Sequence, residues 1–519
     1  MKWTHKAGIG ILVFIIIALL LSVSVNFWIK YQLPKIIGEK NKSPYSITYK
    51  NLNYSLIDGY IKAEGIVILP KTAVEDSTLK SGIYAKVNSI EVKDFKIWSV
   101  LFSDRIKAHS ITIIKPEVIL YKKSDKTVNP KNIRNAVVAP FEKVISVKDI
   151  YLYNGDIKIV YVKTKKAILS ISNINIRLDG IAVDDETLGR KIPFTFEKYS
   201  VKCDSLYYRA NEFYHFTTQK ITATKSDLQI STFKMIPEYT RREFVKKIPK
   251  EKDLFVISAK DIHIKNLDWG FDSEVLFANA NSVNLDGVSA DIYRNKLPED
   301  DLSKKYLYNK LLRDLDFNMK VDTLKVRHSL LAYEEEKDFY KGSGKLVFNK
   351  FDLTAVNIRS GFQKKKLPDL KIHISCRFMD TSPMKVDWKL NVMDKTDGFN
   401  IRGSIMDFDS KKIAAFSKPY INATTEGTLN EVYFNFTGND AKAHGEFAIK
   451  YDDFKVTFYQ KNNREKKNKF LTAVGNLFVK NDTKGQVKGT KVELERIPEK
   501  SFYNFFWRSI AEGLKKIFI

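Results

Sequence analysis

The chain has 519 residues, 44% of them hydrophobic and 13% aromatic, and a formal net charge of +26. That apolar content excludes a disordered tail, and the length allows several ordinary domains or one long one. The 87 Lys and Arg residues are spread along the chain without a helix-turn-helix, RNP or finger signature, so no nucleic-acid partner is expected; a basic surface also suits anionic lipid head groups.

The first element is a run of 23 uncharged residues, Ala7 to Ile29. As a helix it would be about 34 Å long, enough to cross a bilayer's hydrocarbon core. Ile9, Leu12, Phe14, Ile16, Leu19 and Leu21 lie along it, Lys2, His5 and Lys6 precede it, and Phe27, Trp28 and Tyr31 mark an aromatic belt at its far end. Ser22-Val23-Ser24 would pass as a signal-peptide cleavage site, but the apolar run continues through Phe27-Trp28-Ile29, which favours an uncleaved anchor. Lys30 and Lys35 balance the basic residues ahead of the helix, so charge does not orient it; the short N-terminal tail makes N-in, C-out the default. Residues 1–30 are therefore read as a cytoplasmic tip and transmembrane anchor, 31–500 as a β-rich body, and 501–519 as a terminal helix.

Period-2 alternation dominates the body. It is clear in Tyr60 to Leu69, Ile90 to Lys93, Ile106 to Ile114, Val118 to Tyr121, Ile157 to Val162 and Ile168 to Leu178, and later in Gly344 to Phe348, Leu370 to Cys376, Val386 to Val392, Val432 to Phe436 and Phe454 to Tyr459. Asn154-Gly155, Asp179-Gly180, Asp397-Gly398 and Gly438-Asn439-Asp440 read as turns between strands. A ten-residue pattern recurs: Ile145-Ser146-Val147-Lys148-Asp149-Ile150-Tyr151-Leu152-Tyr153-Asn154 matches Ile257-Ser258-Ala259-Lys260-Asp261-Ile262-His263-Ile264-Lys265-Asn266, with Val321 to His328 a looser third copy. Its apolar positions change phase at Lys-Asp. A straight strand cannot put Ile145, Val147, Ile150 and Leu152, or Ile257, Ala259, Ile262 and Ile264, on one face; a bulge or bend at that step can. These eight residues are the candidates for the inner face of a long, curved antiparallel sheet.

Helical pattern is scarce. Asp301 to Leu315 carries Leu307, Leu311 and Leu315 at four-residue spacing, and Pro237 to Val245 suggests a short turn of helix. The tail is amphipathic, with Phe502, Phe506, Ile510, Leu514 and Phe518 on one side and Arg508, Glu512, Lys515 and Lys516 on the other. It could lie on a membrane, meet a partner or cap the sheet.

No catalytic constellation is visible, so no enzyme activity, cofactor or metal is expected. The seven histidines are isolated, with no metal-ligand spacing. Gly342-Ser343-Gly344-Lys345 lacks the earlier glycine and the following Ser/Thr of a phosphate loop and reads as a hairpin turn. Asp394 to Gly398 is too short for a calcium loop. Glu334-Glu335-Glu336 reads as a charge cluster at a strand end. Cys203 and Cys376 read as two thiols in strands, with one long-range disulfide left open.

After the first run come Ile47 to Tyr54, Gly65 to Ile68, Val87 to Val92, Trp98 to Leu101 and Lys115-Pro116-Glu117-Val118. This order resembles the N-terminal region of the AsmA-like proteins of Gram-negative envelopes. The middle is similar to Bacteroidota-type members: Pro237-Glu238-Tyr239 with Phe244, Ile292 to Pro298, and Tyr333-Glu334-Glu335. Phe399 to Gly403, Ala443 to Glu446, Tyr451 to Val456 and Trp507 continue it to the end. The resemblance implies a single-pass inner-membrane anchor, a periplasmic body, an elongated β-sheet curled into an open apolar groove (a β-taco), and a role in moving phospholipid towards the outer membrane and in envelope biogenesis, with no cofactor. Physically, a sixteen-carbon lipid chain in water is penalised by on the order of 12 kcal/mol, at about 0.8 per CH₂, and alternating strands supply an apolar lining. The alternative is an anchored β scaffold that binds envelope proteins without carrying lipid.

Overall fold

The computed structural model describes residues 45–55, 59–71, 81–96, 106–123, 145–183, 195–272, 275–337, 339–340, 342–460, 466–469, 471–473 and 482–518. The expected membrane helix, with Ile9, Leu12, Phe14, Ile16, Leu19 and Leu21, lies outside them. Among the described residues no helix is long and apolar enough to cross a membrane. The chain is mainly β and divides into two compact units, Met1–Ile230 and Ser231–Ile519.

The first unit contains β1 (Tyr45–Thr48), β2 (Asn51–Ser55), β3 (Tyr60–Pro70), β4 (Gly82–Lys93), β5 (Ile106–Lys122), β6 (Ile145–Tyr161), β7 (Ala167–Val183), β8 (Lys198–Arg209) and β9 (Tyr214–Thr224). β1 and β2 both pair with β3, and from β3 to β9 each strand pairs with the next. Pairing is antiparallel throughout except between β5 and β6, which run parallel. β10 (Asp227–Pro237) spans the boundary between the units.

Three of these strands are 17 residues long, and the reason corrects the sequence reading. Asn154-Gly155 and Asp179-Gly180 do not end strands; they lie inside β6 and β7. Asn154 (φ 55°) falls opposite Lys115 (φ 47°) of β5, which is joined through Asn88 of β4 to Gly65 (φ 62°) of β3, and Asn173 (φ 50°) lies at the adjoining register irregularity of β7; all four named φ angles are left-handed. Across this line the buried positions step by three rather than two: Ala63 to Ile66, Ile113 to Pro116, Leu152 to Gly155, Ile171 to Ile174. Asn is among the few side-chain-bearing residues that tolerate this conformation, so the turn-forming residues fold the sheet across its strands instead of reversing the chain.

The Lys-Asp step is a second such line. Val147 pairs with Ile181 and Asp149 with Asp179, which sets Lys148 opposite Gly180 (φ 67°), and the register with β5 and β7 runs through without a slip. The expected phase change is present, since Val147, Ile150 and Leu152 are all buried. It arises from a bend shared with the neighbouring strands rather than from a bulge confined to one.

The second unit contains β11 (Leu254–Lys265), β12 (Asp268–Asp272), β13 (Val275–Asp286), β14 (Ser289–Asn295), β15 (Asn318–Glu336), β16 (Gly344–Arg359), β17 (Leu370–Phe378), β18 (Ser382–Leu390), β19 (Phe399–Asp409), β20 (Ala423–Gly438), β21 (Lys442–Phe458) and β22 (Lys488–Glu495). β13 and β14 together lie between β11, antiparallel, and β15, parallel; from β15 to β22 the pairing is consecutive and antiparallel. The second copy of the repeat folds like the first. Asp261 faces Asp286 as Asp149 faces Asp179, and Lys260 falls opposite Gly287 (φ 60°) as Lys148 does opposite Gly180. The repeat therefore includes the partner strand, Leu178-Asp179-Gly180-Ile181 in one copy and Leu285-Asp286-Gly287-Val288 in the other.

Among the described residues, helices also accompany the second unit's strands. α1 (Arg241–Lys247) starts with a capping box between Thr240 and Glu243 and ends at Ile248, ahead of Pro249. α2 (Tyr308–Arg313) is much shorter than the expected Asp301–Leu315. Residues 301–307 stay non-helical because the Asp301 carboxylate accepts from Ser303 N (3.1 Å) and the Lys305 amide donates to Pro498 O (2.8 Å). Leu307 is buried and Leu311 is left exposed. α3 (Ala414–Ile421) was not foreseen; it follows a 3-10 turn, contains Pro419, and ends at the left-handed Asn422. α4 (Phe502–Phe518) is the expected amphipathic tail.

Candidate functional site

Two apolar rows cross the second unit from strand to strand. In one, Ile264, Val283, Leu324, Ala355, Ile372, Trp388, Ile401 and Phe436 are successive register partners from β11 to β20. In the other, Ile262, Leu285, Val326, Leu353, Ile374 and Val386 follow each other from β11 to β18. Register partners point to the same face of a sheet, so each row is a continuous apolar strip.

Burial along the strips is graded. Trp388, Ile401 and Phe436 are buried, whereas Ile262, Ile264, Val283, Leu285, Leu324 and Val326 are half-buried. Ile262, Ile264, Val283, Leu285 and Val326 belong to neither of the two packed clusters of the described residues. From β11 to β15, where these residues lie, the strips cover about 10 Å at 4.8 Å per strand, a length that accommodates about half of an extended sixteen-carbon acyl chain.

At the buried end α4 lies on the strips. Phe502 stacks on Trp388 with ring centroids 4.4 Å apart and planes within 8°, and meets Phe399 edge-on at 5.2 Å. Phe506 meets Phe434 at 5.1 Å, and Phe518 meets Tyr451 and Phe454, each at 5.1 Å. Ile510 is buried and Leu514 partly so in the same cluster. Four-residue spacing missed Phe505, which is 2% exposed, and Gly513, where an added Cβ would lie 2.4 Å from the Phe447 ring. α4 is thus packed against the sheet through its apolar face.

The other sequence candidates divide sharply. Val147, Ile150 and Leu152 are 1%, 4% and 1% exposed, inside the first unit's cluster; the Ile145 side chain lies outside the described residues. In the second copy Ala259 is buried, while Ile257, Ile262 and Ile264 are half-buried. The eight residues do not share one environment.

Residues read only as family-like motifs or as a charge cluster come together at the end of the parallel strands β14 and β15. Tyr293 pairs with Glu334 and Asn295 with Glu336. Arg241 of α1 donates to Glu334 (2.8 Å) and lies over the Tyr293 ring at 4.3 Å. Ser343 and Lys345 also hold Glu334, at 2.7 and 3.1 Å. Burial works to raise the Glu334 pKa, but the bonds from Arg241, Ser343 and Lys345 outweigh it and bring the carboxyl down to about 2. The Tyr293 hydroxyl donates to Glu336, and Asn295 donates to that hydroxyl (2.9 Å). On the other face Arg294 grips Asp253 with two bonds of 2.7 and 2.8 Å. Every member is held by another, which makes this a pin for the strand ends. The phosphate-loop look-alike is part of the pin: Ser343 and Lys345 bind Glu334, and Gly344 is required because a Cβ there would lie 2.7 Å from Phe416 O of α3. Asp394 to Gly398 is likewise closed on itself, with Asp394 accepting from Thr396 N and Gly398 N and Asp397 taken by Arg313 at 2.8 Å.

On the polar face of the first unit's crease, Lys115, Glu117, Asn154, Asp156, Ser172, Asn173 and Asp204 line an open hollow of about 330 Å³. Asn173 already donates to Asp156 (3.2 Å) and to Asp204 (2.7 Å). Among the described residues no group of His, Cys, Asp and Glu could hold a metal ion. Cys203 and Cys376 are free and buried, and burial pushes their thiols up to about 11 and about 12. Compared with known proteins, the chain matches no family model, and no curated protein matches it significantly.

Proposed function

We propose that this chain is an AsmA-like envelope protein, held in the inner membrane by residues 7–29 with its body in the periplasm, and that it takes phospholipid acyl chains onto the apolar strips of β11, β13, β15 and β16. One observation carries the reading: Ile262, Ile264, Val283, Leu285 and Val326 form an in-register apolar lining that no packed cluster absorbs. Leaving such surface half-exposed forgoes about 25 cal/mol for each Å² that could be buried, and a docked acyl chain recovers it. The packed residues of β6 are assigned to stability rather than to lipid contact. The order of motifs supports the family, and the abundance of lysine suits anionic head groups.

The test is to purify the full chain in detergent, extract it, and identify bound phospholipid by mass spectrometry. Wild type is expected to carry phospholipid, and Ile262→Asp and Leu285→Asp to lose most of it. A wild-type chain free of lipid, or charged variants that load like wild type, would overturn the reading in favour of a scaffold that binds envelope proteins.

A further inference from the structure

We infer that α4 is a displaceable stopper: it fills the buried end of the strips and sets how much of their length an acyl chain can occupy. The inference rests on the trough reading above and adds a control element to it. The half-buried residues on β11–β15 and the residues under Phe502 and Phe506 belong to the same two register rows or flank them directly, so the helix sits on a continuation of the proposed lipid surface.

The way α4 is held permits exchange. Its backbone bonds close within the helix, and its polar ties to strand β22 are side chains: Arg508 donates to Glu495 O and Lys516 to Lys491 O, both at 3.2 Å. Those carbonyls can turn to water when the helix leaves, and no backbone group of the helix is stranded. Apart from a long hydrogen bond of 3.4 Å from the Tyr308 hydroxyl to the Tyr503 hydroxyl, its other contacts are aromatic and aliphatic, which an acyl chain replaces in kind because apolar contact is non-directional. The seat depends on a small residue, since Gly513 alone leaves room for Phe447.

The experiment uses the full chain in amphipol with a nitroxide on Ala511→Cys, an exposed position on α4, while the two native thiols stay buried and protonated. Phosphatidylethanolamine–phosphatidylglycerol vesicles are the lipid source, and bound lipid is counted by mass spectrometry. Gly513→Leu crowds the seat; Arg508→Ala with Lys516→Ala loosens the ties without touching the apolar contacts, which covers the case in which Gly513→Leu does not fold. Lipid is expected to bind to wild type and to raise the label's mobility. The variants are expected to load at lower lipid concentration, about tenfold lower for each 1.4 kcal/mol by which the seat is weakened. Lipid bound to wild type with an immobile label, and variants loading like wild type, would overturn the stopper and leave the trough standing. No lipid on wild type or variants would remove the trough reading and the stopper with it.

Discussion

The two copies of the Lys-Asp repeat have the same sequence pattern, the same Asp-to-Asp register and the same left-handed glycine opposite lysine, yet their apolar residues end differently. On β6, Val147, Ile150 and Leu152 are all but sealed; on β11, Ile257, Ile262 and Ile264 keep part of their surface. Local sequence thus sets the bend, and the neighbours set whether the bent face is filled. In the first unit the adjoining strands contribute Ile111, Ile113, Ile176 and Leu178 to the same cluster. In the second, Val283 and Leu285 adjoin β11, with Val326 one strand further along the row, and none of the three belongs to a packed cluster. The teaching is that one motif can serve a core and a candidate binding surface.

The sharpest way to break this comparison is a matched pair. Leu152→Asp places an unpaired charge in a sealed site and is expected to cost several kcal/mol, enough to unfold the first unit. Ile262→Asp leaves the carboxylate partly in water and is expected to cost well under half of that while abolishing lipid loading. Chemical denaturation of both variants is the measurement, and equal losses would erase the distinction between core and trough.

Next in size is Arg241→Ala. It leaves the Glu334 carboxyl with Lys345 and Ser343 alone, at a cost of about 1–3 kcal/mol. Because Glu334 is held near a pKa of about 2, below its unfolded value, its contribution is full above the ordinary carboxylate pKa and fades as pH falls towards 2. The variant should therefore begin acid unfolding at higher pH than wild type, and coincident acid limbs would show that Arg241 does not stabilise the carboxylate.

Gly180→Ala and Gly287→Ala test whether the two bends are equivalent. Each forces a Cβ into a left-handed conformation, with an expected loss of about 1–2 kcal/mol. Losses of similar size in thermal melts would confirm a shared device; a silent variant at either site would separate them. The smallest perturbation uses the native thiols as reporters, Cys203 in the first unit and Cys376 in the second. Burial holds both thiols protonated at neutral pH. Each is expected to react with a thiol reagent only when its own unit opens, so labelling followed by peptide mass spectrometry at rising denaturant should resolve the two units.

Much of this architecture was legible in the residues. Alternation located most strands because a half-buried sheet demands it, and the phase change at Lys-Asp pointed correctly to a bend. The tail's four-residue spacing identified α4. The failures share a cause. Asn154-Gly155 and Asp179-Gly180 carry turn chemistry, but a left-handed residue reverses a chain only when the following strand pairs back on it; here the strand continues and the sheet folds. The leucines at 307, 311 and 315 have helical spacing, but bonds from Asp301 to Ser303 and from Lys305 to Pro498 hold the preceding residues extended. Glu334 to Glu336 read only as a charge cluster at a strand end because their partners, Arg241 and Tyr293, lie about 40 to 90 residues away.

What the amino-acid order determined by itself is the period: strand after strand with one apolar side, bends where glycine or asparagine admits a positive φ, and a terminal helix with a greasy face. Those are local properties, set by backbone sterics and by the two-residue repeat of a strand. Only the tertiary structure decided which apolar sides are sealed, that Glu334 is pinned, and that α4 lies on the strips begun by Ile262 and Ile264. Burial and pairing depend on which distant strand arrives in register, and the same isoleucine becomes core or lining according to whether another side chain fills the space above it.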